Sequence, residues 1–248
     1  MSPVKAVILG ATKGMGRALA RRMVERGHQL FLLGRSDDIE RSARDLEIRG
    51  SSGLPIGTAL CDLERPETFA SALDAAHAAL GGFDTVVVTA GTFATQDELE
   101  RDPEQLRRLL VVDFAHTVLF CEEARRRLLA SGAGTLCVFS SVAGDRGRSS
   151  VVLYGAAKAG LTQYLEGLDH KFRGQGLRTI CVKPGFVKTS MTEGLPVPPF
   201  AGVPNQVAVQ VLSAIERGTP VVYTPPVWAI VMLAVRWLPR FVMRRVRF

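Results

Sequence analysis

Residues 140–160 read SSVAGDRGRSSVVLYGAAKAG, and Ser141, Tyr154 and Lys158 within them have the types and spacing for proton transfer. On a helix, Tyr154 and Lys158 fall four positions apart, so the ammonium stands one turn from the phenol oxygen on the same face. A phenol titrating at about 10 is a poor catalyst at neutral pH, and a neighbouring cation is expected to draw it down toward the working range. Ser141 lies thirteen residues before Tyr154, just past the apolar run 135–139. That run reads as a strand leading into an active-site loop. A Tyr-x-x-x-Lys pair alone is common on amphipathic helices; the serine and a second motif far upstream give this one its meaning.

The second motif, Gly10-Ala-Thr-Lys-Gly14-Met-Gly16, sits between the apolar run 4–9 and a helical pattern reaching about residue 26. Gly10 lets the chain turn sharply, and Gly14 and Gly16 let backbone approach a pyrophosphate at the helix N-terminus, where free N–H groups and the helix dipole favour an anion. The spacing is neither G-x-G-x-x-G nor a P-loop, so the strand–turn–helix context carries the assignment.

Together the two motifs resemble the short-chain dehydrogenase/reductase family, over nearly the whole chain. The resemblance implies a nicotinamide dinucleotide held by the glycine turn, with Thr12, Lys13 and Met15 beside it. It also implies a Ser/Tyr/Lys set moving a proton while hydride passes between cofactor and substrate carbon, Lys158 and Tyr154 also meeting the ribose. By the same resemblance Asp62 and Leu63 meet the adenine, Ala90 and Gly91 pack beside the cofactor, and Pro184, Gly185, Val187 and Thr189 form the nicotinamide side, Thr189 bonding the carboxamide. Asp62 has a second reading as a cap for the next helix.

Two positions depart from the family pattern. Val88-Thr89-Ala90-Gly91 keeps the small pair of the usual Asn-Asn-Ala-Gly, so the asparagine hydrogen bonds must be replaced. Asp113 stands where many relatives carry an asparagine whose backbone holds a water beside the lysine in a proton relay. Asp113 can serve through the same carbonyl, or act as a carboxylate that alters the pKa values of the set. His116, one turn on, reads as a packing or surface histidine.

Strand-like runs at 4–9, 30–33, 56–60, 85–89, 135–139 and 178–183 alternate with helical patterns, including 67–80 and a long one at 103–129. The alternation, without internal repeats, predicts an α/β single-domain Rossmann fold, a doubly wound parallel sheet of about seven strands. Catalytic domain and tail divide at about residue 225. The second run ends at Gly34-Arg35, where dinucleotide folds usually place an acid on the ribose. Arg35 can grip a 2′-phosphate and Lys13 adds a second charge, so NADP(H) is favoured over NAD(H), although Asp37 or Asp38 remains available to a ribose.

With 248 residues, 47% of them hydrophobic, the chain can bury one large core, and no linker divides it. Cys61, Cys121, Cys137 and Cys181 lack C-x-x-C spacing and read as buried thiols, with no metal site indicated. No export signal opens the sequence, so a cytoplasmic protein is expected, with a peripheral place on the inner face of the membrane in view. The net charge of +7 would raise nucleic acid as a partner, but Arg236, Arg240, Arg244, Arg245 and Arg247 crowd the end, among Trp237, Phe241, Val242, Met243 and Phe248. With no recognition motif there, no nucleic acid is expected.

Residues 185–204, rich in proline, read as a substrate lid rather than a helix, and Met191, Leu195, Val197 and Phe200 point either to an apolar substrate or to packing on the core. Residues 227–235 are an unbroken apolar run. As a helix it spans about 14 Å against roughly 30 Å of bilayer hydrocarbon, so it lies on a membrane, fills an oligomer interface or roofs the pocket. Family members are commonly dimers or tetramers. Residues 140–189 and the tail look similar to bacterial decaprenylphosphoryl-2-keto-pentose reductases, which would imply a keto-sugar carried on a polyprenyl phosphate. The expected activity is NAD(P)H-dependent carbonyl reduction of a hydrophobic or lipid-linked ketone. The alternatives are a small soluble ketone or 3-oxoacyl substrate, or a non-catalytic NADP(H) sensor, which would not need Ser, Tyr and Lys in register.

Overall fold

The computed structural model describes residues 3–50 and 53–245; Arg247 and Phe248 of the basic terminus lie outside the described residues. Seven strands, β1 (Lys5–Leu9), β2 (Gln29–Gly34), β3 (Gly57–Leu60), β4 (Thr85–Val88), β5 (Gly134–Phe139), β6 (Leu177–Pro184) and β7 (Val221–Thr224), form one parallel sheet in the order β3-β2-β1-β4-β5-β6-β7. The central strands are mostly apolar because both sheet faces are covered, and the period of two divides their side chains between two cores. Ala6, Ile8, Leu30 and Leu32 face one core, while Val7, Leu9, Phe31 and Leu33 face the other.

The first core is closed by α1 (Gly14–Glu25), α2 (Asp38–Arg49) and, near the far end of the chain, α8 (Pro204–Arg217). On the opposite face lie α3 (Phe69–Leu80), α6 (His116–Ala130) and α7 (Val152–Phe172). Two short helices, α4 (Gln96–Arg101) and α5 (Pro103–Leu110), precede α6, and α9 (Val227–Trp237) and α10 (Arg240–Met243) follow β7. None of the described helices is long and apolar enough to cross a membrane.

The long helical region expected over 103–129 is present as α5 and α6 joined by a π-helical turn, Val111–Ala115. Wider i→i+5 pairing inserts one residue into the helical register, and the Thr117 hydroxyl donates to the Val112 carbonyl at 2.7 Å inside the widened turn. The insertion puts Asp113 on the inner side, 1% exposed.

From β1 the chain builds outward in both directions, so the ends of β1 and β4 diverge and open a crevice at the carboxyl edge of the sheet. The segment after β5 reaches that edge through a tight contact. Ser141 caps a 3-10 turn, Val142–Gly144, accepting from the Ala143 N–H at 3.1 Å. Gly144 then lies directly on the backbone of α7: a Cβ there would stand 2.6 Å from the Lys158 carbonyl carbon and 2.7 Å from the Ala159 nitrogen. Gly144→Ala is therefore expected to lift the Ser141 loop off α7, costing about 1–3 kcal/mol in urea unfolding; unchanged stability would show that the contact yields freely.

Candidate functional site

The glycine turn after β1 has no room for side chains. A Cβ on Gly10 would meet the Ala90 nitrogen and Thr89 Oγ1 at 2.6 Å, and one on Gly16 would meet the Gly10 carbonyl oxygen at 2.3 Å. The Thr89 hydroxyl donates to that carbonyl at 2.9 Å, stitching the end of β4 to the turn and replacing one asparagine of the usual pattern. At the start of α1, Lys13 makes no side-chain cap and the first turn carries no acid, which leaves its N–H groups for an anion. Across the crevice Thr189 faces Gly14, 3.5 Å from where a Cβ would stand. The cradle fits a dinucleotide pyrophosphate: bare backbone, uncapped donors and a positive helix end.

Tyr154, Lys158 and Ser141 come together at the ends of β5 and β6. Lys158 is buried, its Nζ 3.4 Å from Asp113 Oδ2, 3.5 Å from the Phe139 carbonyl and 5.6 Å from the centre of the Tyr154 ring. Asp113 Oδ1 accepts from the Thr92 N–H at 2.6 Å, so the carboxylate joins the segment after Gly91 to the lysine. The Tyr154 ring meets Phe93 edge-on at 5.1 Å.

The charge balance corrects the expectation for Tyr154. Burial pushes its phenol up; Lys158 and a hydrogen bond with Ser141 pull it down, but Asp113 opposes them, and it ends above its ordinary value. Lys158 is likewise raised, since burial disfavours its cation but Asp113 and then Tyr154 outweigh that. Burial outweighs the cation that should have ionised the tyrosine, and that cation's own carboxylate partner offsets part of its pull.

The remaining expected residues fall around this centre. Arg35 and Lys13 are exposed and have no carboxylate partner among the described residues, whereas Asp38 pairs with Arg41. Asp62 Oδ1 accepts from the Glu64 N–H at 3.0 Å, shaping the turn after β3, and the Leu63 carbonyl lies 2.6 Å from His116 Nδ1, a packing role for that histidine. Thr12 offers its carbonyl to Arg17 at 3.5 Å. Gly91 packs on Asp113, a Cβ there standing 3.1 Å from Oδ1. The Pro184 carbonyl lies 3.4 Å from Ser141 Oγ. The four cysteines are free and buried, Cys61 pushed up to about 12 by burial, so none offers a thiolate.

Beside the centre opens a cavity of about 550 Å3 with mainly apolar walls, among them Met15, Phe93, Ser141, Tyr154, Val187, Thr189, Met191, Leu195, Phe200, Trp228 and Val231. Segment 185–204 forms one side, as an irregular loop whose ends are pinned by Gly202 N–H to the Phe186 carbonyl (2.8 Å) and Lys188 N–H to the Gly202 carbonyl (3.0 Å). Trp228 lies where a Cβ on Gly185 would be, 2.1 Å from its Nε1, and that buried N–H has no protein acceptor. Phe93 and Trp228 escaped sequence reasoning; the proximity of Phe93 to Ala90-Gly91 was the available signal. Of the alternatives for the tail, α9 roofs the pocket with its inner face, where Met232 and Val235 pack with Val142.

The Ser141 loop is tied further along. Asp145 receives Lys183 Nζ at 2.5 Å and the Tyr223 hydroxyl at 2.7 Å, both from neighbouring strands, and Arg146 donates to the Leu238 carbonyl at the end of α9 at 2.7 Å.

The short chain dehydrogenase family model matches residues 4–197. An uncharacterized oxidoreductase of Mycobacterium tuberculosis is 33% identical over 244 residues, spanning 96% of this chain and 95% of that protein. Cis-4-hydroxycyclohexanecarboxylate dehydrogenase of Sinomonas cyclohexanicum is 31% identical over 192 residues, 77% of this chain and 76% of that one. A short-chain type dehydrogenase/reductase from Mycobacterium ulcerans has the same fold, with a TM-score of 0.80 at 22% identity over 88% of this chain and 87% of that one. The chain belongs to the short-chain dehydrogenase/reductase family. It is an oxidoreductase acting on CH–OH and C=O groups, in a family that uses NAD(P)(H).

A reduction that draws its proton from Tyr154 slows as pH rises through the phenol's pKa. Burial holds that pKa up and Asp113 adds to it, so in Asp113→Asn the alkaline limb of kcat/KM against pH is expected to move to lower pH. A limb that stays in place would mean that the Asp113 charge does not govern the phenol.

Proposed function

We propose that the protein is an NADPH-dependent carbonyl reductase of a ketone carried on an apolar body. The observation that carries this reading is the apolar cavity into which the Ser141 and Tyr154 hydroxyls open. When bound, the nicotinamide supplies the hydride. Tyr154, kept protonated, donates the proton to the ketone oxygen. Ser141 Oγ accepts from the Ala143 N–H and donates to the Pro184 carbonyl at 3.4 Å, a long bond that the ketone oxygen would replace so that the hydroxyl polarises it. Lys158, charged and held by Asp113, is placed to bind ribose hydroxyls and to orient the tyrosine.

The segment 185–204 acts as the lid, with Met191 and Phe200 half in the cavity and half exposed. The unpaired Trp228 N–H favours a substrate with a hydrogen-bond acceptor close to its ketone. A keto-sugar on a polyprenyl phosphate meets both demands, polar at the reacting end and apolar beyond it. A second reading, a small alicyclic ketone, is favoured by the 31% identity to an alicyclic hydroxy-acid dehydrogenase. A panel of keto-sugar, alicyclic and 3-oxoacyl substrates separates them by kcat/KM. The preference for NADPH rests on Arg35, unpaired at the end of β2, where a 2′-phosphate would lie.

Tyr154→Phe keeps the ring but not the proton donor, and kcat is expected to fall by about 10²–10⁴-fold with cofactor affinity retained. Substantial turnover in the purified variant would remove Tyr154 from the mechanism. Arg35→Ala should weaken NADPH about 10–100-fold and leave NADH nearly unchanged, as fluorescence titration would show. Equal losses for both would mean that Arg35 does not discriminate between them.

A further inference from the structure

We infer that the outer face of α9 and α10 docks on an anionic lipid bilayer and holds the substrate cavity at the membrane surface. The two faces of α9 are differently used. Trp228 and Val231 line the cavity and Met232 and Val235 are buried, but Ile230, Leu233 and Trp237 are 73%, 61% and 81% exposed, followed by Phe241 at 63%. Spaced three and four residues apart, Ile230, Leu233 and Trp237 form one apolar stripe along α9; the extended Leu238 and Pro239 break the helix before Phe241 adds a further exposed apolar side chain on α10.

Charge decides what covers the stripe. Arg236, Arg240, Arg244 and Arg245 are exposed beside it, and none forms an ion pair among the described residues. After Glu216 the chain contains no Asp or Glu, and its last 32 residues supply six of the seven net positive charges. A second copy meeting this face about a two-fold axis would set arginines against arginines with no carboxylate between them. An anionic bilayer satisfies both components, lipid phosphates taking the guanidinium groups and the acyl boundary taking the stripe. Eleven residues rise only about 16 Å, so the helix lies in the surface plane instead of crossing.

Because Val231 and Leu233 belong to the same turn-and-a-half of one helix, docking sets the cavity within roughly one helix diameter, about 10–12 Å, of the lipid. An apolar ketone then passes from bilayer to pocket with little exposure to water. That delivery rests on the reductase reading; the docking itself is measured without turnover.

The test is flotation of the full chain with vesicles of phosphatidylcholine alone or with phosphatidylglycerol added. The protein is expected to float at least tenfold more with the anionic vesicles, and raised salt should weaken this. Leu233→Asp with Trp237→Ser should cut the partition at least tenfold while reduction of a water-soluble ketone continues, since both side chains face solvent. Arg236→Glu with Arg240→Glu should abolish the preference for anionic lipid. The proposal is overturned if the wild-type chain stays with neither vesicle, if it binds both equally, or if the same substitutions instead dissolve a dimer seen by sedimentation. A wild-type chain that turns over with NADPH but does not float would sink the docking alone, and a wild-type chain that floats but turns over no ketone would sink the reductase reading alone.

Discussion

At the centre of the molecule a lysine and an aspartate share a site almost without water. Lys158 comes from α7, Asp113 from the π turn, and the second oxygen of Asp113 is bound by the N–H of Thr92 in the segment after β4. Removing two charges from water costs several kcal/mol per ion, which the pair offsets only through mutual attraction and the added hydrogen bond. Three segments distant in sequence must therefore arrive together. The π turn is what turns the carboxylate inward, and Gly91 leaves it space.

Around this pair the parallel sheet puts every functional loop on one edge. The glycine turn, Arg35, Asp62, Ala90, Ser141 and Gly185 each follow the end of a different strand. Close backbone contacts then fix their relative positions: Gly10 on Ala90, Gly144 on Lys158, and Gly185 against the Trp228 ring. Rigid strands set direction and small residues set distance. The apolar cavity is left between the Ser141 loop, the pinned segment 185–204 and α9.

Much of this was legible in the sequence because it is written locally. Strand runs such as 4–9 and 135–139, the Gly10-to-Gly16 turn and the Tyr154–Lys158 register all depend on neighbours within one element. Asp113 was visible as a departure and as a carboxylate able to alter the pKa values of the set, yet the direction of its effect on Tyr154 was not, because the inserted helical residue that aims it inward has no simple periodic signature. At Val88-Thr89 the sequence required a replacement for the asparagine hydrogen bonds without naming it, and the Thr89 hydroxyl's bond to the Gly10 carbonyl is visible only in the structure. The tail had an apolar run without a stated direction. Tertiary packing against Gly185 and Val142 turned Trp228, Val231 and Met232 inward and left the opposite side free.

The bond from Arg146 to the Leu238 carbonyl, together with Asp145 held by Lys183 and Tyr223, makes the Ser141 loop and the C-terminal helix a single assembled unit. A chimera that transplants the C-terminal helix into a relative must therefore carry Asp145, Arg146, Lys183 and Tyr223 with it. Evolution faces the same arithmetic, so drift in the roof of the pocket and drift in the loop bearing the serine are constrained to proceed in step.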